Sequence, residues 1–270
     1  MKRDLMFLFC ILLTSFPAFA GDPSAAEVAG EDLVRRGVKT FRQGSRLWRK
    51  ADFEQAAELF GQECEREPDS FRAHYWEGVA LLHVVLHGLG RNGKDGADDT
   101  VKRHMSQAVA TLEKALDLDP QDSGSHAVLA TLLGMRIAGN PVSALWRGSR
   151  VERHRKEALR LDPANPRAHY LAGTGYYHAP EMVGGGKRKA LSHFRKAERL
   201  YKKERRQNTD PLEPRWGYCH CLTFIARTYL ELGKHGKAKT YFRKALDVNP
   251  EDHLADDGLK RLQEKRRAPD

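Results

Sequence analysis

The sequence predicts an all-α protein: a right-handed α-solenoid of about five helical hairpins, with insertions between the helices of single hairpins and a capping helix at the C-terminal end. Three observations predict it. Apolar residues recur at intervals of three and four along most of the 270 residues, which is the period of one buried helix face. Ala56, Phe60 and Pro68 stand at the same mutual offsets as Ala238, Phe242 and Pro250 near the other end of the chain. The heptad Arg72-Ala73-His74-Tyr75-Trp76-Glu77-Gly78 returns as Arg167-Ala168-His169-Tyr170-Leu171-Ala172-Gly173. A lone hairpin cannot bury its apolar stripe, so such copies must stack on one another.

The chain opens with a leader pattern. Lys2 and Arg3 form a basic start, Leu5 to Phe16 an apolar run, and Ala18-Phe19-Ala20 a small-x-small cleavage site. Residues 1–20 are therefore read as a cleaved signal peptide whose apolar core is too short to span a bilayer. This reading predicts export, to the bacterial periplasm or beyond the cell. Leu8-Phe9-Cys10 lacks the small residue that precedes a lipid-modified cysteine, which argues against a lipid anchor. Residues 21–30 read as a flexible lead-in, 31–252 as the solenoid, and 253–270 as the capping helix with a basic tail.

Charge and cysteine content narrow the partners. With 46 Lys and Arg against 36 Asp and Glu, the net charge is +10. Such an excess favours an acidic protein, a carboxylate ligand, or an anionic membrane or polymer surface. Export argues against nucleic acid. Beyond the leader the chain keeps Cys64, Cys219 and Cys221, an odd number that leaves at least one thiol outside any intramolecular disulfide.

The hairpins follow in order. Leu33, Val34, Val38, Phe41 and Leu47 mark the first helix, and Pro68 ends the second because its ring cannot continue one. The second hairpin runs from the Arg72 heptad across a Gly- and Asp-rich insertion, His87 to Thr100, to a helix carrying Ala108, Leu112 and Ala115. The third starts at Ser125-His126-Ala127, breaks at Gly139-Asn140-Pro141 and continues through Trp146 and Ala158. In the fourth, Pro180 to Gly186 separates the Arg167 heptad from a basic helix, Lys187 to about Arg206. A polar connector, Asn208 to Pro214, precedes the fifth hairpin, whose turn is flanked by Gly233 and Gly236. Leu254, Leu259 and Leu262 then form the stripe of the cap. Gly78, Ala130, Gly173 and Ala226 share one small position where helices cross closely.

The stretch Cys219 to Asp252, with Leu222, Ile225, Ala226 and Tyr229 on one helix and Ala238, Phe242 and Ala245 on the next, resembles a tetratricopeptide repeat (TPR). The resemblance implies a non-catalytic scaffold, without cofactor or metal, that binds a protein partner in a concave groove lined by the first helix of each hairpin. It places Arg72, Tyr75 and His83 in that groove, together with Arg167, Tyr170, Tyr177, His178 and Arg227. Arginine forks onto carboxylates, and tyrosine stacks while donating a hydrogen bond. The family's carboxylate-clamp mode is excluded, since Trp76, Val128, Leu171 and Phe224 fill positions where it needs asparagine. Tyr176 to Lys187, Y-Y-H-A-P-E-M-V-G-G-G-K, also resembles exported TPR proteins that accompany tripartite (TRAP) solute transporters, which implies an accessory role and oligomeric assembly.

Other constellations have plainer readings. His74, His126 and His169 share one repeat position and read as three copies of one packing solution. His83 and His87, four apart, would need a third ligand to hold a metal. Cys219-His220-Cys221 reads as packing and Gly184-Gly185-Gly186-Lys187 as a turn. Lys187 to Arg206 holds ten Lys and Arg against two Glu, a one-signed face suited to an acidic surface. No nucleophile elbow, catalytic triad order or paired-carboxylate cleft stands out, so the sequence points away from an enzyme.

Overall fold

The computed structural model of the protein describes residues 25–92, 98–137, 141–207 and 210–267. The expectations for the leader, for Gly21 to Ser24, for the centre of the second hairpin's insertion and for Gly139, Asn140 and Asn208 lie outside them. Among the described residues, eleven α-helices pack as successive neighbours: α1 (Ala25–Leu47), α2 (Lys50–Arg66), α3 (Phe71–Asn92), α4 (Asp99–Leu118), α5 (Ser123–Ile137), α6 (Pro141–Leu161), α7 (Pro166–His178), α8 (Lys187–Glu204), α9 (Tyr218–Glu231), α10 (His235–Val248) and α11 (His253–Arg267). They make five antiparallel hairpins, α1/α2 to α9/α10, and α11 covers the last one. The all-α solenoid is the observed fold. Two boundaries differ from expectation. Helix α1 begins at Ala25, within the stretch read as a lead-in, because Ala25-Ala26-Glu27-Val28-Ala29 are mostly good helix formers. His87 to Asn92 belongs to α3 rather than to a loop, held there by Leu86 and Leu89 against the core.

The first three hairpins each join the next, and α10 joins α11, through the same short device, whereas the fourth hairpin reaches the fifth through a longer connector. A proline stops the outgoing helix, and the residue two positions later caps the incoming one. Ser70 Oγ accepts from the Ala73 N–H at 3.4 Å, and Asp122 accepts from the Ser125 N–H. Asn165 Oδ1 accepts from Arg167 and Ala168 at 2.9 and 3.3 Å, and Asp252 Oδ1 from Leu254 and Ala255 at 3.0 and 3.1 Å. Each such cap contributes about 1 kcal/mol. The repeated histidines lock the same junctions. Nε2 of His74, His126 and His169 lies 2.9, 3.1 and 3.1 Å from the carbonyls of Pro68, Pro120 and Pro163. A carbonyl only accepts, so in each case the histidine donates.

Within the hairpins a large side chain fills the space above a glycine. A β-carbon at Gly37, Gly78 or Gly173 would stand 2.5 Å from Phe60, Leu112 or Phe194 respectively, and one at Gly258 would collide with Phe242. Small residues opposite rings are thus what let the helices approach. The superhelix then closes on itself. At the tip of the first hairpin, Trp48, in left-handed backbone at φ 51°, puts its ring 4.9 Å from that of His220 on α9. Asn249 Nδ2 donates to the Arg46 carbonyl at 2.9 Å, so the last hairpin touches the first.

These contacts predict the outcome of two glycine substitutions. Gly173→Val forces a branched side chain into the Phe194 ring and should cost about 1–3 kcal/mol in urea denaturation. Gly236→Ala, where an added β-carbon meets nothing within 4 Å in α10, should be neutral or stabilise by up to about 1 kcal/mol.

Candidate functional site

The inner wall of the solenoid is built from the first helices, and their N-terminal ends surround a concavity of about 500 Å³. Helix α3 brings Arg72, Tyr75 and Trp76, the α6–α7 junction brings Arg167, and the end of α8 brings Lys203 and Glu204. The remaining side is the connector between α8 and α9, through Leu212, Glu213 and Pro214. Three of the expected groove residues therefore share one cavity: Arg72, Tyr75 and Arg167.

Their charges are already matched within the chain. Arg167 forks onto Glu204 at 2.6 and 3.1 Å, with both side chains largely buried. Arg72 pairs with Asp210 of the connector at 3.3 Å, and here both partners stay nearly half exposed. Tyr75 is 4% exposed, its ring stacked on Phe71 and edge-on to Trp76. Burial pushes its phenol well above the ordinary tyrosine range, so it stays protonated. The Tyr75 hydroxyl has no hydrogen-bond partner among the described residues.

The connector lies along this wall, with Asp210 to Glu213 in a turn that the Glu213 N–H closes by donating to the Asp210 carbonyl at 3.0 Å. The Trp76 indole donates to the Leu212 carbonyl at 3.0 Å, and the Arg42 guanidinium donates to the Pro211 carbonyl. Leu212 and Trp216 are 3% and 5% exposed. Sequence reasoning took this stretch as a polar linker and missed Arg42, Trp76, Lys203, Glu204 and the connector itself. The available signal was Leu212 and Trp216, two large apolar residues inside an otherwise polar segment.

The other expected residues lie elsewhere. Tyr177 is buried, its hydroxyl donates to Glu231, and Lys187 lies 3.5 Å above its ring while also pairing with Glu231 at 2.8 Å. Burial and that carboxylate raise the Tyr177 phenol to about 12. His178 is exposed at the end of α7 and stands edge-on to Tyr177 and Phe224, and Arg227 lies 5.4 Å over the Phe224 ring. These three form a second cluster around Phe224. Tyr170 does not line this cavity: it is buried and packs against Phe194 and Phe224. Nor does His83, which is 2% exposed, donates from Nδ1 to the Val79 carbonyl at 2.8 Å and is ringed by Phe41, Phe53 and Trp216. Rings from α1, α2, α9 and the connector close over His83 and draw that part of the inner face into the core. The basic helix α8 turns Ala190, Phe194, Ala197 and Tyr201 inward and leaves Arg188, Arg199 and Lys203 exposed.

A stacked-hairpin solenoid with a polar, peptide-lined inner wall defines an interaction scaffold. Two family models described as tetratricopeptide repeat match, over residues 41–83 and 220–252. With matched repeats near both ends and the same hairpin between them, the chain is a tetratricopeptide-repeat protein. Among solved structures it is similar to TTC0263, a thermophilic TPR protein of Thermus thermophilus, at 19% identity over 87% of this chain and 97% of that one, with a TM-score of 0.59. It is also similar to the HusA haemophore from Porphyromonas gingivalis, at 21% identity over 74% of this chain and 93% of that one, with a TM-score of 0.61. No curated protein matches in sequence.

Buried histidines set the protein's response to acid. Desolvation lowers His83 to about 3, and burial with a facing histidine lowers His154 and His193 to about 4. Each lies below the ordinary histidine value of about 6.5, so the native state binds fewer protons than the unfolded chain in that window. Stability should be level above about pH 7 and fall as pH drops from about 6.5 towards 4. Urea midpoints measured at pH 7.5 and pH 4.5 should differ less in a His154→Asn/His193→Asn variant than in the parent.

Proposed function

We propose that this protein-interaction scaffold works outside the cytoplasm and that its inner wall grips an acidic segment of a partner protein. The observation that carries the reading is the way the wall holds its own Asp210-Pro211-Leu212 segment. Carboxylate meets Arg72, successive carbonyls meet Arg42 and Trp76, and the leucine side chain is buried. Held main-chain carbonyls give a peptide ligand affinity, and side-chain pockets give specificity. The basic face of α8 adds long-range attraction for an acidic partner. The cavity contains no group placed as a nucleophile beside a base, which supports binding rather than catalysis.

A second reading, an accessory role in a solute transporter of the tripartite type, draws on the element between α7 and α8. There Gly184 and Gly186, at φ 80° and 119°, bend a turn whose outermost residues, Met182 and Val183, are 91% and 66% exposed. Such an apolar tip suits contact with another subunit.

Two experiments test these readings. Loosening the connector with Asp210→Ser and Leu212→Ser should let a labelled peptide of residues 207–216 bind in trans, read by fluorescence anisotropy, and Arg72→Glu should weaken that binding at least tenfold. Absence of binding to a loosened variant whose circular dichroism stays helical would remove the groove as the recognition surface. Affinity capture from the periplasmic fraction should recover a chain starting at Gly21 with an acidic protein bound. A solute-binding protein in its place would favour the transporter role, and a chain retained in the cytoplasm with its leader intact would refute export.

A further inference from the structure

The interior of the second hairpin holds an arrangement that its neighbours lack. Glu77 on α3 is 6% exposed, and among the described residues no lysine or arginine pairs with it. Its acceptors are served by neutral groups only. Gln107 Nε2 donates to Oε1 at 2.9 Å, the Thr111 hydroxyl donates to Oε2 at 2.7 Å, and the Cys64 thiol approaches Oε2 at 3.6 Å. Glu63, by contrast, is equally buried but answered by Arg66 at 2.6 Å. A buried carboxylate without a counter-charge is expensive, and the usual remedies are a paired cation or a metal.

His74, one turn before Glu77 on the same helix face, completes the set. Its Nε2 donates to the Pro68 carbonyl, so in the neutral ring Nδ1 carries the lone pair. That nitrogen faces the Thr111 oxygen at 3.1 Å, whose proton is directed at Glu77. Cys64 Sγ, His74 Nδ1 and a Glu77 oxygen lie within 4.8 Å of one another. We propose that Cys64, His74 and Glu77 bind a divalent transition metal of the zinc class, clamping α2 of the first hairpin to α3 of the second.

The fold does not call for these residue types. Four positions before the terminating proline, where the first hairpin has Cys64, the others have Leu116, Leu159 and Leu246. Three positions after the junction histidine, where the second hairpin has Glu77, the next two have Leu129 and Ala172. Two sites that the repeat fills with aliphatic side chains therefore carry a thiol and a carboxylate, and they meet at the one histidine between them. The distances suit zinc. With Zn–S at about 2.3 Å and Zn–O at about 2.1 Å, a tetrahedral centre sets sulfur and oxygen about 3.6 Å apart. The observed Sγ–Oε2 separation is 3.6 Å, and the remaining edges need to shorten by at most about 1.3 Å. Sulfur, nitrogen and oxygen donors together favour zinc over the hard cations. The outer groups are in place as well, with the Pro68 carbonyl fixing the histidine tautomer and Gln107 orienting the carboxylate. Binding displaces one proton from Cys64 and turns the Thr111 hydroxyl aside.

The test uses the metal-free full chain titrated with cobalt(II) and then zinc. One equivalent of cobalt should produce a thiolate charge-transfer band, zinc should abolish it, and zinc should raise the thermal midpoint. Cys64→Ser should lose the band, and Glu77→Gln should weaken zinc binding at least tenfold while its circular dichroism stays helical. A parent chain that binds no stoichiometric metal overturns the proposal. A band that survives Cys64→Ser overturns it too, by assigning the metal to Cys219 or Cys221.

Discussion

Four handovers from one helix pair to the next element fix this superhelix, and the fourth hairpin reaches the fifth through the longer connector instead. A proline ends one helix, a side chain two residues later caps the following one, and in three of the four such junctions a histidine ties the incoming helix back to the proline's carbonyl. Because the junction is short and fully hydrogen-bonded, the angle between successive hairpins has little freedom. Small errors in that angle would add up along five units, so the meeting of Trp48 with His220 depends on each junction holding its shape.

How much of this could be read from residues alone follows the range of the forces involved. Helix period, terminating prolines and the small residues at Gly78, Gly173 and Ala226 act within one hairpin, and these features were legible, hairpin by hairpin, down to the cap at Leu254 to Leu262. The burial of His83 and Tyr170 was not. Whether a residue on the first helix of a hairpin faces a groove or the core depends on which rings from other hairpins or the connector reach it, such as Phe224 over Tyr170 and Trp216 over His83, and neither local pattern nor repeat position encodes that. The same limit hid the connector. Leu212 looks like an isolated apolar residue in a polar linker until α3 and α8 are placed on either side of it.

The two arginines shared by the wall illustrate how position alters an identical repeat residue. Arg72 and Arg167 open equivalent heptads, yet Arg167 is sequestered in a bidentate pair with Glu204 while Arg72 keeps a half-exposed contact with Asp210. Separating the first pair would strand a buried charge, whereas the second can exchange partners at small cost. In the binding mode proposed above, the Arg72 end of the cavity is the part free to exchange partners, and the Arg167 end is its rigid floor.

A consequence follows from the connector being part of the chain whose wall it covers. A segment held by its two ends to α8 and α9 competes with any visiting peptide at an effective concentration of about a millimolar or more, independent of how much protein is present. The apparent affinity for a visitor is its intrinsic affinity reduced by the fraction of time the wall stands open. Under the proposed binding mode, a partner succeeds by adding contacts that the tethered segment lacks, such as the cations of α8, which favours large, many-sided ligands over short peptides.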